Sequence, residues 1–127
     1  MTKKQYQPAV AALHDAHSIC IVTHLRPDAD AIGSAAALLL ALRQRGKDVC
    51  AVVGQEREIS RNLYTIPAAD DVTTSRELPE GYDLYVTVDC GSLDRTGFFA
   101  DRIEQLAQQG RVLCIDHHSS NPGFGAI

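Results

Sequence analysis

Four short runs of apolar, mostly β-branched residues punctuate the chain: SICIVTH (18–24), DVCAVVG (48–54), DLYVTVD (83–89) and RVLCID (111–116). Each has the length and composition of a buried strand, and each ends abruptly in polar residues or glycine. Between them the apolar positions switch to helical spacing. Residues 5–16 (QYQPAVAALHDA) predict a first helix, and residues 31–45 (AIGSAAALLLALRQR) predict a second, with Arg43 and Arg45 in its last turn and Gly46 as its stop. Residues 98–110 (FFADRIEQLAQQG) predict a third, amphipathic and closed by Gly110. GSLDRTG before it reads as a turn, with Asp94 and Arg95 capping and pairing at the helix start. Residues 55–80 are the least regular part: a short helix near 58–64, ended by Pro67, and a connection with room for one small strand.

Near-continuous apolar strands separated by helices predict an α/β fold, a mostly parallel Rossmann-like sheet flanked by helices. In such sheets ligands gather beyond the carboxyl ends of the strands. That rule turns a linear pattern into a spatial one. His24 ends the first run, Asp89 the third and Asp116-His117-His118 the fourth, while Asp28 and Asp30 lie in the loop after the first. All of them are predicted to share one edge of the sheet.

Composition narrows the class. At 127 residues with 45% hydrophobic content, the chain has the size of one globular domain. The formal charge of −4, without a run of lysines or arginines, argues against a groove for long duplex nucleic acid. No segment approaches the roughly 18 apolar residues of a membrane span, and MTKKQYQPAV lacks a signal-peptide core, so a cytoplasmic location is expected. Cys20, Cys50 and Cys114 sit inside apolar runs, Cys90 does not, and no CxxC occurs; the thiols read as small buried hydrophobes in a reducing compartment. His14 and His17, on or beside the first helix, read as solvent-exposed.

Carboxylates and imidazoles gathered at one edge repel or titrate unless a cation compensates them. Mixed His and carboxylate donors without thiolate suit Mn²⁺, Mg²⁺, Fe²⁺ or Co²⁺ better than structural zinc. The donors exceed the needs of one ion. Two ions about 3.5–4 Å apart, sharing a carboxylate and a water, clamp both oxygens of an in-line phosphoryl displacement, and Asp89, at a central strand end, is the natural bridge. Gly33 and Ser34, placed in the first helical turn, are expected to offer free backbone amides to a phosphate. Arg26 reads equally as a phosphate contact or a surface ion pair, and Asn121 is similarly open. Taken alone, Asp28 and Asp30 read as helix caps, Asp89 as a turn residue, and His117 and His118 as surface histidines.

THLRPDADAIGSAAAL resembles the first motif of the DHH phosphoesterases, VTVDCG the second and IDHHSSN the third. The three occur in order at strand ends, and SLDRTG and SNPGFG favour the branch of nanoRNases and 3′-phosphoadenosine 5′-phosphate phosphatases, related to exopolyphosphatases, over the exonuclease branch. The resemblance implies a metal-dependent phosphoesterase acting on short oligonucleotides or nucleotides, with two Mn²⁺ per site and Mg²⁺ or Co²⁺ as substitutes. It implies that His24 and Asp28 bind one ion, Asp30 and His117 the other, and Asp89 both. It further implies that a bridging water attacks, that His118 faces the scissile phosphate as a catalytic and substrate-binding group, and that Asp116 orients the imidazoles.

The resemblance also implies a fourth-motif Asp after the histidines and a second domain with a glycine-rich, His-bearing loop. The sequence ends at Ile127, just after NPGFG, where a further strand is expected to begin. Residues 1–127 are therefore expected to be the N-terminal portion of a longer DHH phosphoesterase, weak in metal binding and turnover by themselves. A manganese-dependent inorganic pyrophosphatase-like enzyme and a non-catalytic nucleotide-sensing module are the alternatives. Pairing with a second copy is left open by the sequence.

Overall fold

The computed structural model describes residues 3–119, 121–125 and 127. Five parallel strands, β1 (Ser18–Thr23), β2 (Asp48–Val53), β3 (Val72–Thr74), β4 (Leu84–Val88) and β5 (Val112–Ile115), form one sheet in the order β3-β2-β1-β4-β5. Helices α1 (Lys3–Asp15), α2 (Ala29–Gln44) and α3 (Ala100–Gln108) complete the α/β architecture. Among the described residues no helix is long and apolar enough to cross a membrane.

Strand alternation divides the core in two. Ile19 and Ile21 of β1 face one side, where Ile32, Ala35, Leu39 and Leu42 of α2 pack on them with Val86 of β4. Cys20 and Val22 face the other, against Tyr85, Phe99, Ile103 and Leu106. A strand buried on both faces has little room for polar residues, which is why the middle of β1, ICIV, is continuously apolar. Each large aliphatic side chain removed from water here contributes about 1.5–3 kcal/mol. The alanines of α2 keep that helix close to the sheet, and Gly46, at φ 78°, lets the chain leave it in the left-handed region.

The order of strands matters for function. From central β1 the chain runs outward through β2 to β3, then crosses back to β4 and β5 on the other side. The reversal opens a crevice between the carboxyl ends of β1 and β4, the place where sheets of this kind bind ligands.

Several local expectations shift. The third run is the fourth strand, because the small strand for which residues 55–80 left room forms as a three-residue β3 that pairs Val72 with Ala51. Only Val72 of β3 is buried, so no apolar period announced it. The helix expected near 58–64 is a 3₁₀ turn at Arg61–Thr65, followed by another at Ala69–Asp71. SLDRTG is not a simple turn: a 3₁₀ segment spans Leu93–Phe99, broken at Gly97, and α3 begins only at Ala100. At the chain's end, Ile127 donates to Val112 O and accepts from Cys114 N, the spacing of a parallel ladder, at a single described residue. All four cysteines are free thiols; Cys90 is fully buried despite lying outside an apolar run, and Cys50 and Cys114 are only half-buried.

Candidate metal centre

His24 leaves β1 at its carboxyl end and is 9% exposed. Its Nδ1 lies 2.7 Å from the carbonyl of Leu25, a contact only an N–H can make, which assigns the proton to Nδ1 and leaves the lone pair on Nε2. Arg95 Nη2 approaches the same nitrogen at 3.4 Å, but a guanidinium offers no acceptor, so its hydrogen bond goes to Leu25 O at 3.3 Å. The free Nε2 faces Asp28 Oδ1 at 3.7 Å and Asp89 Oδ2 at 3.6 Å. A backbone carbonyl that fixes the tautomer in this way is the usual support of a ligating histidine.

Asp89 follows β4 and is the buried carboxylate of the cluster, 7% exposed. Its φ of 52° places a non-glycine residue in the left-handed region, and the bond from its N–H to Ile115 O at 3.0 Å holds it there. This backbone turns the carboxylate into the crevice. One oxygen meets His24, and the other lies 2.8 Å from His117 Nε2. His117 also reaches Asp30 Oδ2 at 3.3 Å. The hydrogen bond with Asp89, aided by the charge of Asp30, raises the His117 pKa against a smaller effect of burial. The contact thus favours a proton on the ring where a cation would compete for the same lone pairs.

Asp28 is the N-cap of α2, its Oδ1 accepting from Ala31 N at 2.9 Å, and Asp30 lies in the first turn. Both side chains stay about two-thirds exposed, 66% and 64%, consistent with groups that wait at an open site. Asp116 is held differently. Its side chain is almost wholly buried and takes up His118 Nδ1 at 2.5 Å, His118 N at 3.2 Å and Asn121 Nδ2 at 2.8 Å. Burial pushes the Asp116 pKa up, but these hydrogen bonds outweigh it and hold the carboxyl below its ordinary value. With Nδ1 engaged, His118 has Nε2 left for a cavity of about 560 Å³ that it shares with His24, Asp28, Asp89 and Arg95. Among the described residues two donor groups are close enough to hold an ion, His24, Asp28 and Asp89, and Asp89, Asp116, His117 and His118; Asp30, 3.3 Å from His117, falls outside both.

The sequence missed Arg95. Read as a capping residue, it crosses from the 3₁₀ segment to Leu25 O and lines the cavity beside His24. Asn121 likewise has a defined task, bonding Asp116 and Cys90 O. Gly33 and Ser34 need correction. Because α2 begins at Ala29, they lie beyond the first four positions, whose amides alone lack a partner inside the helix. Ser34 instead lines, through its side of α2, a mostly apolar cavity that meets the cluster at Asp89, Asp116 and His117, and the space beside Gly33 is open. Arg26 lines a third cavity, on the other side of Leu25 from His24, and its backbone N–H donates to Gln55 Oε1 at 2.8 Å. His14 and His17 are exposed, as expected.

Comparison with known proteins agrees with the geometry. The family model described as "DHH family, N-terminal domain" matches residues 18–126. The chain is 35% identical over 110 residues to a bifunctional oligoribonuclease and PAP phosphatase NrnA of Thermus thermophilus, covering 86% of this chain and 30% of that protein. The crystal structure of an exopolyphosphatase-related protein from Bacteroides fragilis superposes with a TM-score of 0.80 at 26% identity, over 100% of this chain and 39% of that one. The chain therefore spans about a third of the length of these relatives.

Proposed function

The chain belongs to the DHH family, in which it matches the N-terminal domain, and from that premise we propose that it carries the metal-binding part of a phosphoesterase that hydrolyses short oligonucleotides or nucleotides. The observation that carries the reading is the divided carboxylate of Asp89, buried, with one oxygen toward His24 and the other at His117. A buried carboxylate offering its two oxygens to two separate donor sets suits a pair of ions better than one. His24, Asp28 and Asp89 would hold the first, and Asp30, His117 and Asp89 the second. The oxygen and imidazole donors fit Mn²⁺, with Mg²⁺ or Co²⁺ as substitutes.

Bound divalent ions supply a water of lowered pKa and compensate the charge of the phosphate. The protein's own groups do the rest. Leu25 O keeps the His24 lone pair on Nε2, aimed at the donor set. Asp116, itself fixed by Asn121, holds His118 so that its Nε2, when protonated, donates to a phosphate oxygen across the cavity. Arg95 adds a fixed positive charge at the wall beside His24. Short nucleotide substrates suit this open, locally charged crevice, a membrane substrate does not, and four free thiols fit the reducing cytoplasm.

The test is calorimetric titration of Mn²⁺ into the chain and its Asp89→Asn variant, with hydrolysis of a 5′-phosphorylated dinucleotide, 3′-phosphoadenosine 5′-phosphate and pyrophosphate measured in the full-length protein. Two sites lost together in the variant, with turnover of a nucleotide, support the reading. Turnover of pyrophosphate alone replaces it with a pyrophosphatase, and metal binding without any turnover replaces it with a sensor.

A further inference from the structure

Beside the metal centre, across Leu25, lies the cavity that Arg26 lines, of about 420 Å³ and bounded also by Leu25, Gly54, Gln55, Arg57 and Phe98. The two spaces share a wall, because Leu25 lines this one while its carbonyl binds His24 and Arg95 of the other. The cavity is built by three loops sewn together: Leu25 N donates to Arg95 O at 2.9 Å, Phe98 N to Gly54 O at 3.1 Å, and Arg26 N to Gln55 Oε1 at 2.8 Å. Gln55 continues the seam with a bond from its Nε2 to Arg57 O at 2.7 Å. Its floor tolerates only glycine. A Cβ on Gly97 would lie 2.3 Å from Gly54 O, and one on Gly54 2.4 Å from Thr96 O. Arg26 is held at a positive φ of 49°, a conformation an arginine adopts at a cost.

Phe98 stands at the rim of this cavity, 52% exposed, while its neighbour Phe99 is fully buried in the core. The guanidinium of Arg76, paired with Glu56, lies over the Phe98 ring at 5.4 Å and props it at the surface. Arg26 and Arg57 give the lining a positive excess over Glu56 in a chain of net charge −4. An exposed ring with guanidiniums around it is the arrangement that stacks a nucleobase and meets its phosphate.

We infer that this cavity is a nucleotide subsite, in which Phe98 stacks the base next to the scissile phosphate and Arg26 and Arg57 engage a further phosphate. The inference rests on the phosphoesterase reading of the neighbouring centre and adds a basis for preferring nucleotides to bare phosphates. Inorganic phosphate has nothing to place against Phe98.

Amide NMR of the chain in Mg²⁺ tests it, with titration by 5′-phosphorylated diadenylate and separately by inorganic phosphate. The dinucleotide is expected to shift the amides of Gln55, Gly97 and Phe98, whereas inorganic phosphate shifts only those near His24, Asp89 and His118. Phe98→Ala should weaken dinucleotide binding about tenfold and Phe98→Tyr should restore it. Arg57→Ala should weaken the 5′-phosphorylated ligand more than the unphosphorylated one. A dinucleotide that moves only the amides near His24 and Asp89, or that binds Phe98→Ala as tightly as the parent, overturns the subsite and leaves the metal centre standing. Shifts at Phe98 without any near Asp89 uphold the subsite and remove the phosphoesterase reading, and no shifts at all remove both.

Discussion

The hydroxyl of Thr23 donates a buried 2.8 Å hydrogen bond to the carbonyl of Val88, tying the last residue of β1 to the last residue of β4. His24 and Asp89 are the next residues on the two strands, so this bond spans the crevice one step below the groups that would share an ion. Thr23→Val keeps the branched shape and deletes the donor. It should cost about 1 kcal/mol in urea unfolding and weaken Mn²⁺ binding several-fold. Lost stability with unchanged metal affinity would mean that the tie supports the sheet and not the site.

Gly97 faces a stricter constraint. Its φ of 65° and ψ of −126° are strained for any L side chain, and a Cβ would strike both Gly54 O and Leu25 Cδ2 at 2.3 Å. Gly97→Ala should therefore destabilise the chain by roughly 2–5 kcal/mol, strain and overpacking together. An unfolding midpoint close to that of the parent would show that the three loops are not locked as described.

What the sequence disclosed and what it hid follow from the same physics. Parallel strands buried on both faces must be continuously apolar, so polar residues collect where they end; that is how His24, Asp89 and His117 could be placed together before any coordinates. The start of α2 was harder. Alanine-rich sequence carries little period, and reading the helix from residue 31 instead of Ala29 assigned free amides to Gly33 and Ser34. Arg95 escaped because its reach to Leu25 O depends on a 3₁₀ segment broken at Gly97, which leaves no repeat in the sequence. Phe98 and Phe99 form an undifferentiated pair on paper. Only the kink before them sends one into the core and the other to the rim of a cavity.

At the amino end of the sheet, Asp83 binds β1 to β4 from the opposite side. Its carboxylate accepts from His17 N at 2.9 Å and Ser18 N at 3.3 Å, while its own N–H donates to Ser18 Oγ at 2.9 Å. The two backbone donors lower its pKa from the ordinary 3.8. A depressed carboxylate contributes stability that is fully present above its unfolded value and is lost as pH falls through its folded value. Asp83→Asn should thus be less stable than the parent at pH 7 and at pH 5, and the gap should shrink below about pH 3.8. A gap independent of pH would assign the effect to the amide's geometry and not to charge.

Asp28 allows the structural and the functional roles of one residue to be separated. As N-cap it accepts from Ala31 N at 2.9 Å, and with the same oxygen it faces His24 Nε2 at 3.7 Å. A serine caps a helix about as well as an aspartate, whereas alanine does not, and the difference is about 1 kcal/mol. Serine, however, carries no charge and only one oxygen. Asp28→Ser should match the parent in urea unfolding to within about 0.5 kcal/mol, and Asp28→Ala should fall below both. In the Mn²⁺ titration the two variants should behave alike, each binding about tenfold more weakly or worse, a loss of the order known for disturbed metal sites. If Asp28→Ser binds Mn²⁺ like the parent, the carboxylate is a helix cap alone and the first ion must find its ligands elsewhere in the crevice.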